Sequence, residues 1–146
     1  MSEENVNVVR SLLGPFQALN VAEIDWGSEP IRELIEAGSS PEIEVRTLES
    51  GTGTGVDPVY HGVDGVVRYL QDWMEPFGEY NVEWLDFIDE GDFVLVPVRN
   101  SGIGSGSGAR TELELVYACE VKDGLITRLL QYDTLDDARS AIAAGA

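Results

Sequence analysis

Apolar residues recur along this chain with two periods, and the change from one to the other divides it. Val6, Val9, Leu13 and Phe16 repeat at helical spacing behind Ser2, Glu3 and Glu4, a capping hydroxyl followed by acids in a first turn. Gly14-Pro15 interrupts that repeat, because proline lacks an amide donor and its ring clashes with the carbonyl four residues back. A kink or break is predicted there, with Pro15 opening a short piece through Leu19. Ser28-Glu29-Pro30 starts another helix, with Ile31, Leu34 and Ile35 as its apolar stripe and Gly38 and Pro41 as its stop. The clearest helix runs from about Val63 to Phe77, where Val63, Val66, Val67, Leu70, Trp73, Met74 and Phe77 share one broad face.

Strand periodicity takes over elsewhere. Ile43, Val45 and Thr47 alternate with Glu44, Arg46 and Leu48. Tyr80 to Trp84 alternates and runs on through Ile88 to the turn Asp89-Glu90-Gly91-Asp92. Phe93 to Val98 is almost continuously apolar, a strand buried on both faces, in which Pro97 calls for an edge or a bulge. Ser101 to Gly108, with four glycines, reads as a mobile hairpin tip. In the strand Thr111 to Val121, Leu113, Leu115, Tyr117 and Cys119 share one face, and Glu112, Glu114 and Glu120 point the other way, toward solvent. Asp123-Gly124 predicts a two-residue hairpin turn before a last strand, Leu125 to Tyr132, and a terminal helix over Thr134 to Ala143.

Helices, one strand, a long helix and then consecutive hairpin-linked strands exclude a doubly wound parallel sheet, which needs crossovers. The pattern predicts one α+β domain over residues 1–146: N-terminal helices packed on a curved, mostly antiparallel sheet, with the Trp73 helix as lid. Gly51-Thr52-Gly53-Thr54-Gly55 is a flexible loop without the lysine and following helix of a phosphate-binding loop.

Charge narrows the partners. Twenty-seven acidic residues against nine basic ones give a net charge of −18, and Lys122 is the only lysine. Such a surface repels nucleic acid and anionic membranes, so neither is an expected partner. No apolar run reaches membrane-spanning length, and the acidic N-terminus does not read as a secretory leader, so a cytoplasmic location is expected. One cysteine and one histidine do not make a structural zinc site, and no cofactor or metal is predicted. Cys119, flanked by apolar residues, reads as a small buried hydrophobe.

Short motifs then carry a resemblance. Glu4-Asn5-Val6, Pro41-Glu42-Ile43-Glu44-Val45-Arg46 and Tyr60-His61-Gly62-Val63-Asp64-Gly65-Val66 come first. The turn Asp89 to Asp92, Lys122-Asp123-Gly124-Leu125-Ile126 and Gln131-Tyr132-Asp133 follow. In their order and spacing the chain resembles the SnoaL-like branch of the nuclear transport factor two-like superfamily. The resemblance implies a cone-shaped fold, a pocket between helices and sheet, and homodimers packed through the sheet. It also implies several possible chemistries, cyclases, isomerases and epoxide hydrolases among them, so function has to come from the site.

Asp133 is the leading catalytic candidate, since the resemblance places an acid/base aspartate near this strand end and an apolar pocket would raise its pKa. The competing reading is that Asp133 or Thr134 caps the terminal helix, because Thr134-Leu135-Asp136-Asp137 resembles a capping box. His61, the only histidine, is either a second base or an exposed residue at a strand-to-helix corner. Where related cyclases use a histidine on the penultimate strand, this chain has Cys119 or Tyr117. Arg99 has no matching acid pair and reads as a structural ion-pair partner. Phe16, Trp26, Tyr60, Trp73, Phe77, Trp84 and Tyr117 are the aromatics that could line a cavity for a small apolar, ring-containing ligand.

Overall fold

A computed structural model describes residues 2–17, 19–48 and 57–145. The glycine-rich loop of residues 51–55 lies outside them. Helix α1 (Ser2–Leu13) ends where Gly14-Pro15 begins, and a single 3-10 turn (Gly14–Phe16) carries Pro15 in its opening. A second 3-10 turn (Val21–Glu23) leads to α2 (Glu29–Gly38), with Pro30 in its first turn. Strand β1 (Ser39–Arg46) follows without a loop, then β2 (Val59–His61) and α3 (Gly62–Met74). The remainder is β3 (Phe77–Trp84), β4 (Ile88–Glu90), β5 (Phe93–Gly104), β6 (Arg110–Lys122), β7 (Leu125–Tyr132) and α4 (Leu135–Ala143).

The strands form one sheet in the order β2-β1-β7-β6-β5-β3, with β4 also beside β5. All pairings are antiparallel except β1 with β7. Register shifts in the β1–β7, β3–β5 and β6–β7 pairs bend the sheet, as bulges do. This is the expected α+β arrangement. At the β6–β7 turn, Asp123 and Gly124 both take positive φ (53° and 77°), the primed turn that twisted strands favour.

Alternation along the strands sorts the side chains into two clusters. Val94, Val96, Val98, Leu115, Tyr117 and Cys119 face the helices; Phe93, Leu95, Val116, Ala118 and Leu130 face outward, beneath Ala138 and Ile142 of α4. Phe93 to Val98 is therefore covered on both faces. Pro97 sits where β5 changes partner from β4 to β3. Its carbonyl accepts from Leu85 N at 2.9 Å, so its missing donor points into the same break between β3 and β4 and costs no ladder bond.

The free edge of β3 is laced by the chain after α1. Asn20 Oδ1 accepts from Tyr80 N at 2.9 Å, Gln17 Oε1 from Trp84 N at 3.1 Å, and Trp84 Nε1 donates to Leu13 O at 2.8 Å. Edge protection of this kind removes a template for pairing with other chains.

Three expectations need correction. Phe77 does not close the long helix but starts β3: Glu75 still has helical backbone, and Pro76 after it has no amide to donate to the helix. The segment 101–108 is not one mobile tip: β5 runs through Gly104 and β6 resumes at Arg110. A Cβ on Gly102 would come within 2.7 Å of the Phe77 ring and 2.9 Å of Tyr80, so glycine here admits aromatic rings rather than flexibility. Glu120 is not solvated. It is 7% exposed and bound to Arg128 and Thr127.

Candidate functional site: an apolar cavity under the helices

Between the sheet's inner face and the helices lies a cavity of about 110 Å³. α1 and its 3-10 extensions contribute Leu12, Leu13, Phe16 and Val21, α2 contributes Ile35, and α3 contributes Val66, Tyr69, Leu70, Trp73 and Met74. The sheet supplies Ile43, Val45, Tyr80, Val82, Trp84, Tyr117, Ile126 and Leu129, and Trp26 closes the side before α2. No carboxylate, imidazole, ammonium or guanidinium stands among the described residues of this wall.

Five of the seven aromatics expected in a cavity meet here: Phe16, Trp26, Trp73, Trp84 and Tyr117. Phe16 and Trp26 rings lie 5.3 Å apart, and Trp84 and Tyr117 rings 6.2 Å apart. Tyr60 and Phe77 do not line it. The Tyr60 ring is buried beneath α3, close against Gly65, while its hydroxyl reaches outward, accepting from Asp57 N and donating to Asp72 Oδ2 at 2.7 Å. Burial pushes that hydroxyl up to about 12. Phe77 packs on Tyr80, ring centroids 4.7 Å apart, over Gly102.

Neither predicted catalytic residue reaches the cavity. Asp133 is exposed just beyond β7, and the helix cap beside it is Thr134, whose Oγ1 accepts from Asp137 N at 3.1 Å. His61 occupies the N-cap position of α3 with a side chain 73% exposed, its Nδ1 3.8 Å from Glu44. Arg99 pairs with Glu83 at 3.0 Å on the outer face. Cys119 is buried in the inner cluster, and burial pushes its thiol up to about 12. Among the described residues no cluster of three His, Cys, Asp or Glu is placed to hold a metal, and no helix is long and apolar enough to cross a membrane.

The wall's polar groups are mostly ones the sequence reading passed over. Tyr69 Oη receives Gln131 Nε2 at 2.5 Å, and Gln131 Oε1 accepts from Leu48 N at 3.2 Å. Tyr80 Oη accepts from Trp73 Nε1 at 2.9 Å. Burial raises the pKa of Tyr69, Tyr80 and Tyr117 above the ordinary tyrosine value, so all three stay protonated at neutral pH. Asn100 donates Nδ2 to Leu113 O at 3.2 Å, which leaves its buried Oδ1, like the Oγ of Ser39, without a partner among the described residues. These two stand at opposite ends of the sheet, level with Leu113 and, through Ile126, with Val121 on β6.

The signals were present but quiet. Asn100 continues the Val94-Val96-Val98 alternation onto the inner face, and Tyr80 alternates in step with Val82 and Trp84. Tyr69 follows Val66 by three residues and precedes Trp73 by four, placing it on the helix face that packs inward.

Comparison with known proteins agrees with this architecture. TerC, co-crystallised with polyporic acid, superposes with a TM-score of 0.71 at 20% identity, covering 96% of this chain and 98% of that one. A putative SnoaL-like polyketide cyclase from Jannaschia sp. CCS1 gives 0.69 at 18% identity, over 99% and 95%. A protein of ketosteroid isomerase-like fold from Catenulispora acidiphila, in complex with trimethylamine, gives 0.62 at 10% identity, over 88% and 85%. At such identities the likeness speaks for the fold alone. No curated protein sequence matches the chain. The model of the SnoaL-like domain matches residues 33–129, from within α2 into β7, and by that match this chain belongs to the SnoaL-like domain family.

Proposed function

We propose that this chain is a small-molecule-binding domain whose cavity takes one compact, apolar, ring-containing ligand and holds it without turnover. The observation that carries the reading is the wall itself: a cavity of about 110 Å³, rich in aromatics and free of ionisable acid or base groups near neutral pH. An apolar cavity of ~150 Å³ holds benzene, so at about 110 Å³ a single ring is the upper limit here and a fused polycycle is too large. Burying ~200 Å² of ring surface is worth about 5 kcal/mol, the same order as the cost of association. Apolar burial alone therefore gives weak affinity, and polar contacts select the ligand. That two structural neighbours were crystallised with small organic molecules is in keeping with this reading.

Acid/base catalysis needs a group within hydrogen-bond reach of the substrate. With Asp133 and His61 both exposed and off the wall, an enzyme of the cyclase or isomerase kind has no support from the geometry.

Homodimerisation through the sheet enters the proposal in a restricted form. α4 already covers Phe93, Leu95, Val116, Ala118 and Leu130, so a second copy would meet a polar strip with Arg99 between Glu83 and Glu114. Such a dimer should dissociate as salt rises, and a monomeric mass at low salt would remove it. A cytoplasmic location is proposed on the free, buried state of Cys119.

Trp26, Trp73 and Trp84 all line the cavity and report its filling. Titration with toluene should give a saturable change in tryptophan emission, with naphthalene binding more weakly. A response that fails to saturate, or one that favours naphthalene, would overturn the reading.

A further inference from the structure

Among the polar groups on the cavity wall, one amide has a fixed orientation and an unmet oxygen. Asn100 lies on β5 between Val82 of β3 and Leu113 of β6, and it continues the alternation of Val94, Val96 and Val98 onto the inner face. It is 2% exposed and lines the cavity. Its Nδ2 donates to Leu113 O at 3.2 Å. A backbone carbonyl only accepts, so the arm that meets it is the amide nitrogen and not the oxygen. The oxygen sits on the other arm of the same planar group, turned away from Leu113, and has no partner among the described residues. Its inner-face neighbours Val82, Val98 and Leu115 are apolar and offer it no donor. A buried water would need two to four polar partners, which these side chains do not supply. Ser39 Oγ also lines the cavity without a partner. A hydroxyl turns to give or to take a proton, however, so Ser39 does not set the polarity of a ligand, whereas an amide oxygen only accepts.

We propose that Asn100 Oδ1 is the polar anchor of the cavity, and that the ligand is a neutral single ring carrying one hydrogen-bond donor, of the phenol class. The inference rests on the cavity reading above and narrows it. A wholly apolar ring would leave the amide oxygen unmet, and an ether or a ketone would bring a second acceptor against it. An ammonium would donate, but no carboxylate stands among the described residues of the wall to answer its charge.

Phenol and toluene, alike in size, are the probes, with binding to the full chain followed by titration calorimetry. A cavity without an acceptor takes toluene and refuses phenol, whose O–H would leave water unpaired. Wild type should instead bind phenol within about threefold of toluene. Asn100→Leu keeps the shape of the side chain and removes the acceptor. It should weaken phenol about tenfold while leaving toluene within about twofold. Toluene bound and phenol refused by wild type, or phenol held equally well by the variant, overturns the anchor and leaves the cavity reading standing. Equal loss of both probes in a folded variant makes Asn100 a structural tie to β6 and also overturns the anchor alone. Failure of wild type to bind either probe overturns anchor and cavity together. Should the variant not fold, the wild-type comparison of phenol with toluene decides.

Discussion

On the outer face of the sheet, the Glu120 carboxylate accepts from Arg128 Nε and Nη2 at 3.1 and 2.9 Å and from Thr127 Oγ1 at 2.7 Å, with Lys122 3.8 Å away. On the inner face, Asn100 Oδ1 and Ser39 Oγ, both on residues that line the cavity, have no partner among the described residues. The outer layer is filled by apolar side chains and its charges are answered within the chain. The inner layer encloses space and its polar groups are incompletely answered. Polarity completed locally is structural; polarity left open beside a void marks where a second molecule belongs.

The sharpest way to break that contrast is to truncate the filled layer. Leu95 is wholly buried between Val116, Leu130 and α4. Leu95→Ala should cost about 3 kcal/mol of stability, read as a drop in urea midpoint, and leave toluene binding unchanged at temperatures where the variant is folded. A filling change on the other face, Val82→Phe, should do the reverse, abolishing binding while shifting stability by about 1 kcal/mol. If Leu95→Ala impairs binding as much as Val82→Phe, the two layers are one unit and the contrast is wrong.

Next in size is the ion pair, and pH separates the layers. Arg128 holds the Glu120 carboxyl below its ordinary value of 4.5, with Thr127 adding to the effect. A group depressed in the fold stabilises it above its unfolded pKa, and that contribution disappears as pH falls through the folded value. Arg128→Met should cost about 2 kcal/mol at pH 7, and its deficit relative to wild type should shrink below about pH 4.5. The inner layer has the opposite sign. Tyr69, Tyr80 and Tyr117 have pKa values raised above 10.0 by burial, and Cys119 is raised from 9.0 to about 12. Their unfolded forms ionise first, so stability present below pH 9 should fall as pH rises beyond it, in Arg128→Met as much as in wild type. Urea midpoints across pH 3 to 11 test both limbs.

The same division explains what could be read in the sequence. Local chemistry sufficed for the Val63 helix, the Asp123-Gly124 turn and the Thr134 cap, because each is decided by residues a few positions apart. Local preference assigns Gly102 to a loop because it hides what glycine makes room for, the rings of Phe77 and Tyr80 arriving from β3. Alternation points Glu120 to solvent because it tells which face a residue takes and not which side chains cross to meet it; Arg128 and Thr127 on β7 supply the partners. In the site, the large aromatics announced themselves, and five of seven meet in the cavity. Tyr69 and Asn100 did not, since their value lies in partners on other strands, Gln131 at a separation of 62 residues and Leu113 on β6.

Smaller effects test the boundary between the layers. Thr134→Ala removes the bond from Asp137 N and should cost about 1 kcal/mol, with the α4 amides exchanging faster and ligand binding untouched.

Asp133→Asn should do least of all. Its carboxylate is exposed beside a helix already capped by Thr134, so neither fold nor cavity depends on its charge. Surface changes away from such features usually lie within about 0.5 kcal/mol, and the melting temperature and toluene affinity of the variant should match wild type. The test matters because Asp133 is the residue that strand-end position and family resemblance single out for proton transfer. A variant that melts normally yet loses affinity would mean the carboxylate reaches the ligand after all. The outer end of β7 would then belong to the site, and the line drawn between a structural face and a binding face would have to move.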